Sequence, residues 1–100
     1  MTPFEAIAEP SRRQILELLR AGERPAGALV EAMGLSQPGV SKHLKMLREA
    51  GLVSVRADGQ RRLYRLEARE LATLDTWLQP FRAFWATRLD ALGDHLEKES

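Results

Sequence analysis

LSQPGVSKHLKMLREAG, residues 35–51, is the segment from which the rest of the fold can be assigned. Ser36 is a good N-cap, and Pro38 is tolerated in a first turn because the amides there have no partner within the helix. The sequence predicts a helix that follows Ser36, runs to about Ala50 and is ended by Gly51. At 100° per residue, one apolar stripe within about 60° of arc is formed by Val40, Leu44 and Leu47.

Shorter helices are predicted before this segment. Thr2 and Glu5 form a capping-box pattern with Pro3 at the first helical position, which predicts a short helix through Ala8 that Pro10 breaks.

Two more helices follow in this first part of the chain. A second capping box, Ser11 to Gln14, opens a helix that Gly22 closes, and Pro25 starts a third helix. Gly34 then begins a tight turn that leads to Ser36. The apolar residues of these two helices are Ile15, Leu18 and Leu19, and then Leu29, Val30 and Met33.

The chain then changes to strand-like character. Residues 52–56 and 61–66 are predicted to pair as a hairpin around Asp58-Gly59, the strongest short hairpin pattern. A long helical pattern fills the rest, and Pro80 predicts a kink or a split near Gln79. Its apolar residues recur at steps of three and four: Leu71, Leu74, Leu78, Phe81, Trp85, Leu89, Leu92 and Leu96.

The composition fits one globular domain, with 100 residues of which 44% are hydrophobic and 29% charged. The absence of cysteine excludes disulfides, thiol catalysis and thiolate metal sites. No apolar run approaches the roughly 18 residues of a membrane span, and the first residues lack a signal-peptide pattern. We expect no membrane partner and a location in a reducing cytoplasm.

The net charge of +1 conceals a basic middle segment. Residues 36–65 hold seven Lys and Arg against two acidic residues, whereas residues 1–35 and 66–100 are both net acidic. A local basic surface favours an anionic partner, with nucleic acid as the first candidate.

The order of elements places this charge on a known arrangement. Two short helices joined by a turn with glycine form a helix-turn-helix, and a basic hairpin directly after it forms a wing. The second helix and the wing would contact double-stranded DNA, the helix in the major groove and the wing beside it. The predicted DNA-binding residues are Ser36, Gln37, Ser41, Lys42, His43, Lys45, Arg48, Arg56, Arg61 and Arg62.

The chain resembles the ArsR/SmtB family of winged helix-turn-helix transcriptional repressors over roughly residues 4–95. The resemblance is carried by AEPSRRQILELL at 8–19, LSQPGVSKHLKMLREAGLV at 35–53 and DGQRRLYRL at 58–66. It implies a homodimer that represses its operator, with terminal helices that pair between protomers. It also implies that the Ser-Gln and Ser-Lys-His residues of the middle segment contact DNA.

The metal-sensing property of that family does not carry over. Founding members hold a Cys-x-Cys element on the helix before the turn, where this chain has AGALVE at 26–31. Other members bind zinc through the last helix, which here offers Asp90, Asp94, His95 and Glu97 with a single histidine. We predict no metal and no cofactor, as in the metal-independent branch of the family, and the identity of any effector stays open.

Several of these residues have a structural alternative. Ser36 would serve as a helix cap without contacting DNA, and His43 would pack at the edge of the core. Arg12 and Arg13 open a helix, where the dipole disfavours cations, so one of them could bind phosphate. A surface ion pair with Glu9 or Glu17 is the alternative for these arginines.

The apolar stripe of the last helix needs a cover that a 100-residue monomer does not supply. We predict that residues 70–97 form a dimerisation helix. An effector pocket at the aromatic residues is the alternative. The predicted dimer residues are Phe4, Leu74, Trp77, Leu78, Phe81, Trp85, Leu89 and Leu92.

The sequence therefore predicts a mainly α fold with a small β-hairpin, a single winged helix-turn-helix domain over 1–100. Its predicted function is that of a homodimeric repressor of a pseudo-palindromic operator. The alternative is a winged-helix module that binds protein and not DNA. Catalysis is not expected, since no phosphate loop, nucleophile elbow or metal-ligand spacing is present.

Overall fold

The computed structural model describes the backbone of residues 1–99 and the side chains of residues 1–92. It confirms a mainly helical fold with a basic hairpin, and it adds a third strand to the predicted pair. In chain order the elements are α1 (Pro3–Ala6), α2 (Pro10–Leu19), β1 (Arg24–Pro25), α3 (Ala26–Met33), α4 (Gln37–Glu49), β2 (Val53–Asp58), β3 (Arg61–Leu66) and α5 (Ala68–Glu99).

Helix α4 forms as its sequence predicts. The Oγ of Ser36 accepts a hydrogen bond from the backbone N–H of Gly39 at 3.2 Å. The preceding α3 ends at Gly34, whose φ of 66° lies in the left-handed region that glycine adopts without strain. The predicted stripe is the buried face of α4, with at most 1% exposure at Val40, Leu44 and Leu47.

The first two helices meet differently from the prediction. The capping box of Thr2 and Glu5 is present, but α1 ends at Ala6 and not at Ala8. Pro10 does not act as a breaker: it is the first residue of α2, a position where its missing N–H costs nothing. The N-cap is Glu9, not Ser11, and its carboxylate accepts from the backbone N–H of Arg12 at 3.0 Å.

The three-stranded antiparallel sheet has the order β1-β3-β2. Strands β2 and β3 pair from Val53↔Leu66 to Asp58↔Arg61, and Gly59 in the turn has a φ of 62°. Sequence analysis missed β1, which pairs Arg24 with Tyr64 and Pro25 with Leu63. Helix α2 ends at Leu19, three residues before the predicted end at Gly22, and residues 20–23 then lead to β1.

One core joins all the helices to the sheet. Its members come from α1, α2, α3, α4, the start of β2 and the first turns of α5, with Ile15, Leu29, Leu44, Leu47 and Leu52 fully buried. Leu74 belongs to this core at 9% exposure. Its side chain therefore packs mostly within the protomer, a distinction that helical periodicity does not make.

Helix α5 continues through Pro80 without a break, so the alternative of two separate helices is wrong. It extends the molecule to 59 × 28 × 20 Å. Among the residues that the structure describes, no helix is both long enough and apolar enough to cross a membrane.

Truncation of the α4 stripe tests whether it holds the fold. Leu47→Ala removes a side chain with 0% exposure, so we expect the free energy of unfolding to fall by about 2–5 kcal/mol. Urea denaturation followed by circular dichroism, at one fixed protein concentration, measures the change. The control is Glu49→Ala on the exposed face of α4, expected to change stability by less than about 0.5 kcal/mol. Equal losses in the two variants would show that the stripe is not the main buried contact of α4.

The N-cap of α2 predicts a pH dependence. Burial alone would raise the pKa of Glu9, but the backbone N–H of Arg12 and the neighbouring His43 outweigh it and lower this pKa. Because the folded pKa lies below the unfolded one, the stabilisation is complete above the usual value of 4.5 and is lost as pH falls through the lowered pKa.

Glu9→Gln should therefore be less stable than the wild type near neutral pH, and the difference should shrink as the pH approaches about 3. Urea denaturation at both pH values measures it. Glu17→Gln on the exposed side of α2 is the control. A difference between wild type and Glu9→Gln that is constant with pH would contradict the role of the ionised cap.

Candidate DNA-binding surface

The exposed face of α4 lies opposite its buried stripe. Gln37, Ser41, Lys42, Lys45 and Arg48 are all exposed, and no acidic residue occurs on α4 before Glu49. The structure therefore brings five predicted DNA-binding residues together on one polar and basic helix surface.

The basic end of α4 lies beside the start of the hairpin. A cleft of about 520 Å³ lies between the end of α4 and β2, lined by Lys45, Arg48 and Glu49 on the helix and by residues 53–55 on the strand. The cleft therefore joins α4 to the base of the hairpin, and its strand side is formed by uncharged residues.

Ser36 and His43 have structural contacts of their own. Ser36 is exposed, but its Oγ caps α4. The His43 side chain is 21% exposed, and its Nδ1 lies 3.9 Å from Oε2 of Glu9. That nitrogen is buried and has no hydrogen-bond partner within the described residues. The contact places His43 at the junction of α4 with α2, at the edge of the core.

Arg12 and Arg13 bind backbone carbonyls at the end of α1. Arg12 donates from Nε to Ala6 O at 2.7 Å and from Nη2 to Glu5 O at 3.2 Å, and Arg13 donates from Nη1 to Ile7 O at 2.7 Å. These carbonyls lie at the end of α1, where a helix leaves carbonyl groups available to accept further hydrogen bonds. The expected ion pairs with Glu9 or Glu17 do not form, because both guanidiniums are directed to these carbonyls.

Arg12 also connects α2 to α4. Its Nη1 lies 3.3 Å from the sulfur of Met46 on α4. One side chain therefore contacts the end of α1 and the inner side of the helix that carries the basic face.

The wing arginines differ in their partners. Arg56 donates to both carboxylate oxygens of Glu23, each at 2.8 Å, and Arg61 donates to Asp58 at 3.2 Å. Within the described residues, the side chain of Arg62 makes no hydrogen bond or ion pair. The hydrogen bond from Arg56 lowers the pKa of Glu23 below its usual value.

A second, apolar surface runs along α5 and reaches Phe4 on α1. The rings of Phe4 and Trp77 meet edge to face at 5.4 Å, and Trp77 contacts Phe81 at 4.8 Å. Leu78 is partly buried. The large exposed side chains of this surface are Phe4, Trp77, Phe81, Phe84, Trp85, Leu89 and Leu92.

Phe84 is a member of this surface that sequence analysis missed. It is 57% exposed, and Arg88 lies 3.8 Å above its ring. On a helical wheel it falls about 60° from Phe81, outside the predicted apolar stripe and next to Trp77, so the periodicity alone did not include it.

No group of three His, Asp or Glu side chains is placed to hold a metal ion in the part of the chain with described side chains. Asp90 is exposed there. Asp94, His95 and Glu97, which the sequence analysis weighed as ligands, lie outside the residues with described side chains, as does Leu96.

Comparison with known proteins matches this architecture. A family model described as bacterial regulatory protein, arsR family, matches residues 9–55. The transcriptional repressor SdpR of Bacillus subtilis is 37% identical over 78 residues, which are 78% of this chain and 87% of SdpR.

Two solved structures are similar in both fold and sequence. The crystal structure of a possible transcriptional regulator for arsenical resistance has a TM-score of 0.75 and 40% identity, covering 87% of this chain and 91% of that one. The homodimeric winged helix-turn-helix DNA-binding domain Mb0332 from Mycobacterium bovis has a TM-score of 0.65 and 35% identity, covering 79% and 73%. With this fold and this extent of similarity, the chain belongs to the ArsR family of bacterial regulatory proteins.

Proposed function

We propose that this chain is a homodimeric, sequence-specific repressor that binds double-stranded operator DNA. The observation that carries the proposal is the exposed polar and basic side of α4, on a helix whose other side is a fully buried stripe. Such a helix, held by the core on one side, suits insertion into the major groove. SdpR is a repressor and Mb0332 a DNA-binding domain, and both relationships support the assignment.

Residues 37–48 would lie in the major groove. Gln37 and Ser41, near the start of α4, are the candidates for contacts with base edges. Lys42, Lys45 and Arg48 would neutralise phosphates. Ser36 and His43 are adjacent candidates. The Ser36 side chain also caps the start of α4, and the His43 side chain also lies beside Glu9 at the core side of this helix.

The wing, residues 56–62, would lie beside this groove. Arg56, Arg61 and Arg62 place three guanidiniums on it, within reach of phosphates or of the minor groove. Acidic or apolar residues at these positions would have favoured protein docking instead. The basic residues therefore support DNA over the protein-interaction alternative.

The whole chain would act as one domain, with residues 70–97 as the dimerisation helix. The apolar surface of α5 and Phe4 would pair with its copy, as supported by the homodimeric Mb0332. A two-fold dimer contacts a pseudo-palindrome with half-sites about 34–36 Å apart, one helical turn. We infer a location in the cytoplasm from the proposed role in DNA binding, and no effector is assigned.

Selection of bound duplexes from a random pool, at about 50 and 200 mM salt, tests the proposal directly. We expect an enriched inverted repeat whose affinity falls with salt, because Lys and Arg release counterions from the phosphates they contact. Weak binding with no enriched sequence would contradict sequence-specific repression.

Two substitutions on α4 should have different effects on DNA binding. Lys42→Ala should weaken binding to every sequence and reduce the slope of log affinity against log salt by about 0.9. Gln37→Ala should cost about 1–3 kcal/mol on the selected site and relax discrimination at one base position. Fluorescence anisotropy and repeated selection measure these effects. Arg20→Ala, outside the basic middle segment, is the control for lost charge, and an unchanged preferred sequence in Gln37→Ala would exclude a base contact.

The dimer surface is tested by adding one charge to α5. Trp85→Glu should raise the dimer dissociation constant at least about 30-fold, as expected for an aromatic anchor at an interface. Analytical ultracentrifugation measures the dissociation constant, and circular dichroism checks that the helix persists. Ala83→Glu adds the same charge to the opposite side of α5 and should leave the dimer intact. Equal dissociation constants for the two variants would place the dimer contact elsewhere.

A further inference from the structure

One ion pair connects the segment before β1 to the wing. Glu23 directly precedes β1, and Arg56 lies on β2. The guanidinium donates from Nε to Oε2 and from Nη2 to Oε1, both at 2.8 Å. This bidentate form is the strongest kind of Arg–carboxylate contact. Because the strand order is β1-β3-β2, the pair spans the central strand of the sheet.

The strand register assigns this pair to the outer face of the sheet. Arg56 lies opposite Leu63, and Leu63 lies opposite Pro25, so the three share one face. The next residue, Tyr64, packs against the core from the other face. Leu63 is only 7% exposed although it is not a member of the core cluster. The Glu23–Arg56 pair therefore lies on the same face as a leucine that is almost fully buried.

The other arginines of β3 divide between the two faces. Arg61 and Arg65 alternate with Leu63 on the outer face, where Arg61 pairs with Asp58, and Arg65 donates to Glu67 at 3.3 Å. Arg62 lies on the opposite face, the one turned to the helices. Its side chain makes no hydrogen bond or ion pair within the described residues, so its guanidinium keeps its donors for a ligand.

The ionised Glu23 opposes direct phosphate binding by Arg56. A phosphate that took the guanidinium would have to displace both hydrogen bonds from the carboxylate. It would then leave that negative group beside the negative DNA backbone without its hydrogen-bonded cation, with only the charge of Arg65 nearby to offset it. Arg62 meets no such competitor among the described residues.

We propose that Glu23 and Arg56 are positioning residues, which hold the wing to the segment before β1, and that Arg62 is the phosphate-binding arginine of the wing. The inference rests on the proposed function, because it assigns roles in DNA binding. The inference assigns phosphate binding by the wing to Arg62 alone among the three wing arginines. It also gives Glu23, which lies outside the basic segment, a part in positioning the wing.

The test compares single substitutions, and one double variant, in the intact 100-residue chain. Affinity for the selected duplex, or for a random-sequence duplex at low salt if none is enriched, is measured over a series of salt concentrations. Arg62→Gln should weaken binding about threefold to tenfold and reduce the salt slope by about 0.9. Glu23→Gln and Arg56→Gln should each weaken binding about threefold, and the double variant should bind no more weakly than either single variant.

The controls separate positioning from charge. Arg65→Gln removes the same charge from the same face as Arg56→Gln, so the two should have equal salt slopes. Glu31→Gln, at an exposed position on α3, matches the charge change of Glu23→Gln and should leave affinity unchanged. Amide hydrogen exchange of residues 55–61 should be faster in both Glu23→Gln and Arg56→Gln than in the wild type, because a positioning pair limits local opening.

The possible outcomes are distinguishable. If Arg56→Gln reduces the slope by about 0.9 relative to Arg65→Gln while Glu23→Gln tightens binding, Arg56 contacts phosphate and Glu23 competes with it. That result overturns the inference and leaves the proposed function intact. Unchanged hydrogen exchange in both variants also overturns it. A wild-type dimer that binds no duplex at low salt overturns the proposed function together with the inference.

Discussion

The burial of one stripe of α4 is the contact on which the rest of the molecule depends. Val40, Leu44 and Leu47 sit in a core to which every helix and the start of β2 contribute. Because an α-helix turns 100° per residue, fixing these three side chains also fixes the direction of every other residue on α4. The polar face that includes Gln37 and Lys42 is therefore a geometric consequence of core packing, and the surface proposed for DNA is as rigid as the core beneath it.

The junction of α1, α2 and α4 joins the two surfaces of the protein. Phe4 on α1 belongs to the apolar surface, and Arg12 holds the end of α1 while it contacts Met46 of α4. Glu9 caps α2 and lies beside His43 of α4. A change in how two protomers pack at Phe4 would thus reach α4 through one short turn.

Sequence patterns predicted the elements for which several local constraints agree. They failed where the decisive contact joins residues far apart in the chain, or where the element has only two residues. The cap, stripe and terminal glycine of α4 all favour one helix, and Asp58-Gly59 favours one turn. By contrast, β1 has two residues and no periodicity, and Glu9 is not a preferred N-cap. Glu23 and Arg56 are 33 positions apart, so no local pattern joins them. The strand alternation that separates Arg62 from Arg61 was already present in the sequence, and it became informative once the register showed which face packs on the core.

The unbroken passage of α5 through Pro80 has a consequence for hydration. Proline has no N–H, so the carbonyl of Thr76, one turn earlier, receives no hydrogen bond from residue 80. On a helical wheel Thr76 lies about 140° from Phe81, away from the apolar surface. Thr76 is itself exposed, so water can reach and satisfy the carbonyl that lacks its helical donor. The missing hydrogen bond therefore lies to one side of Phe81, and a dry contact centred on Phe81 and Trp85 would not enclose this unsatisfied oxygen at its centre.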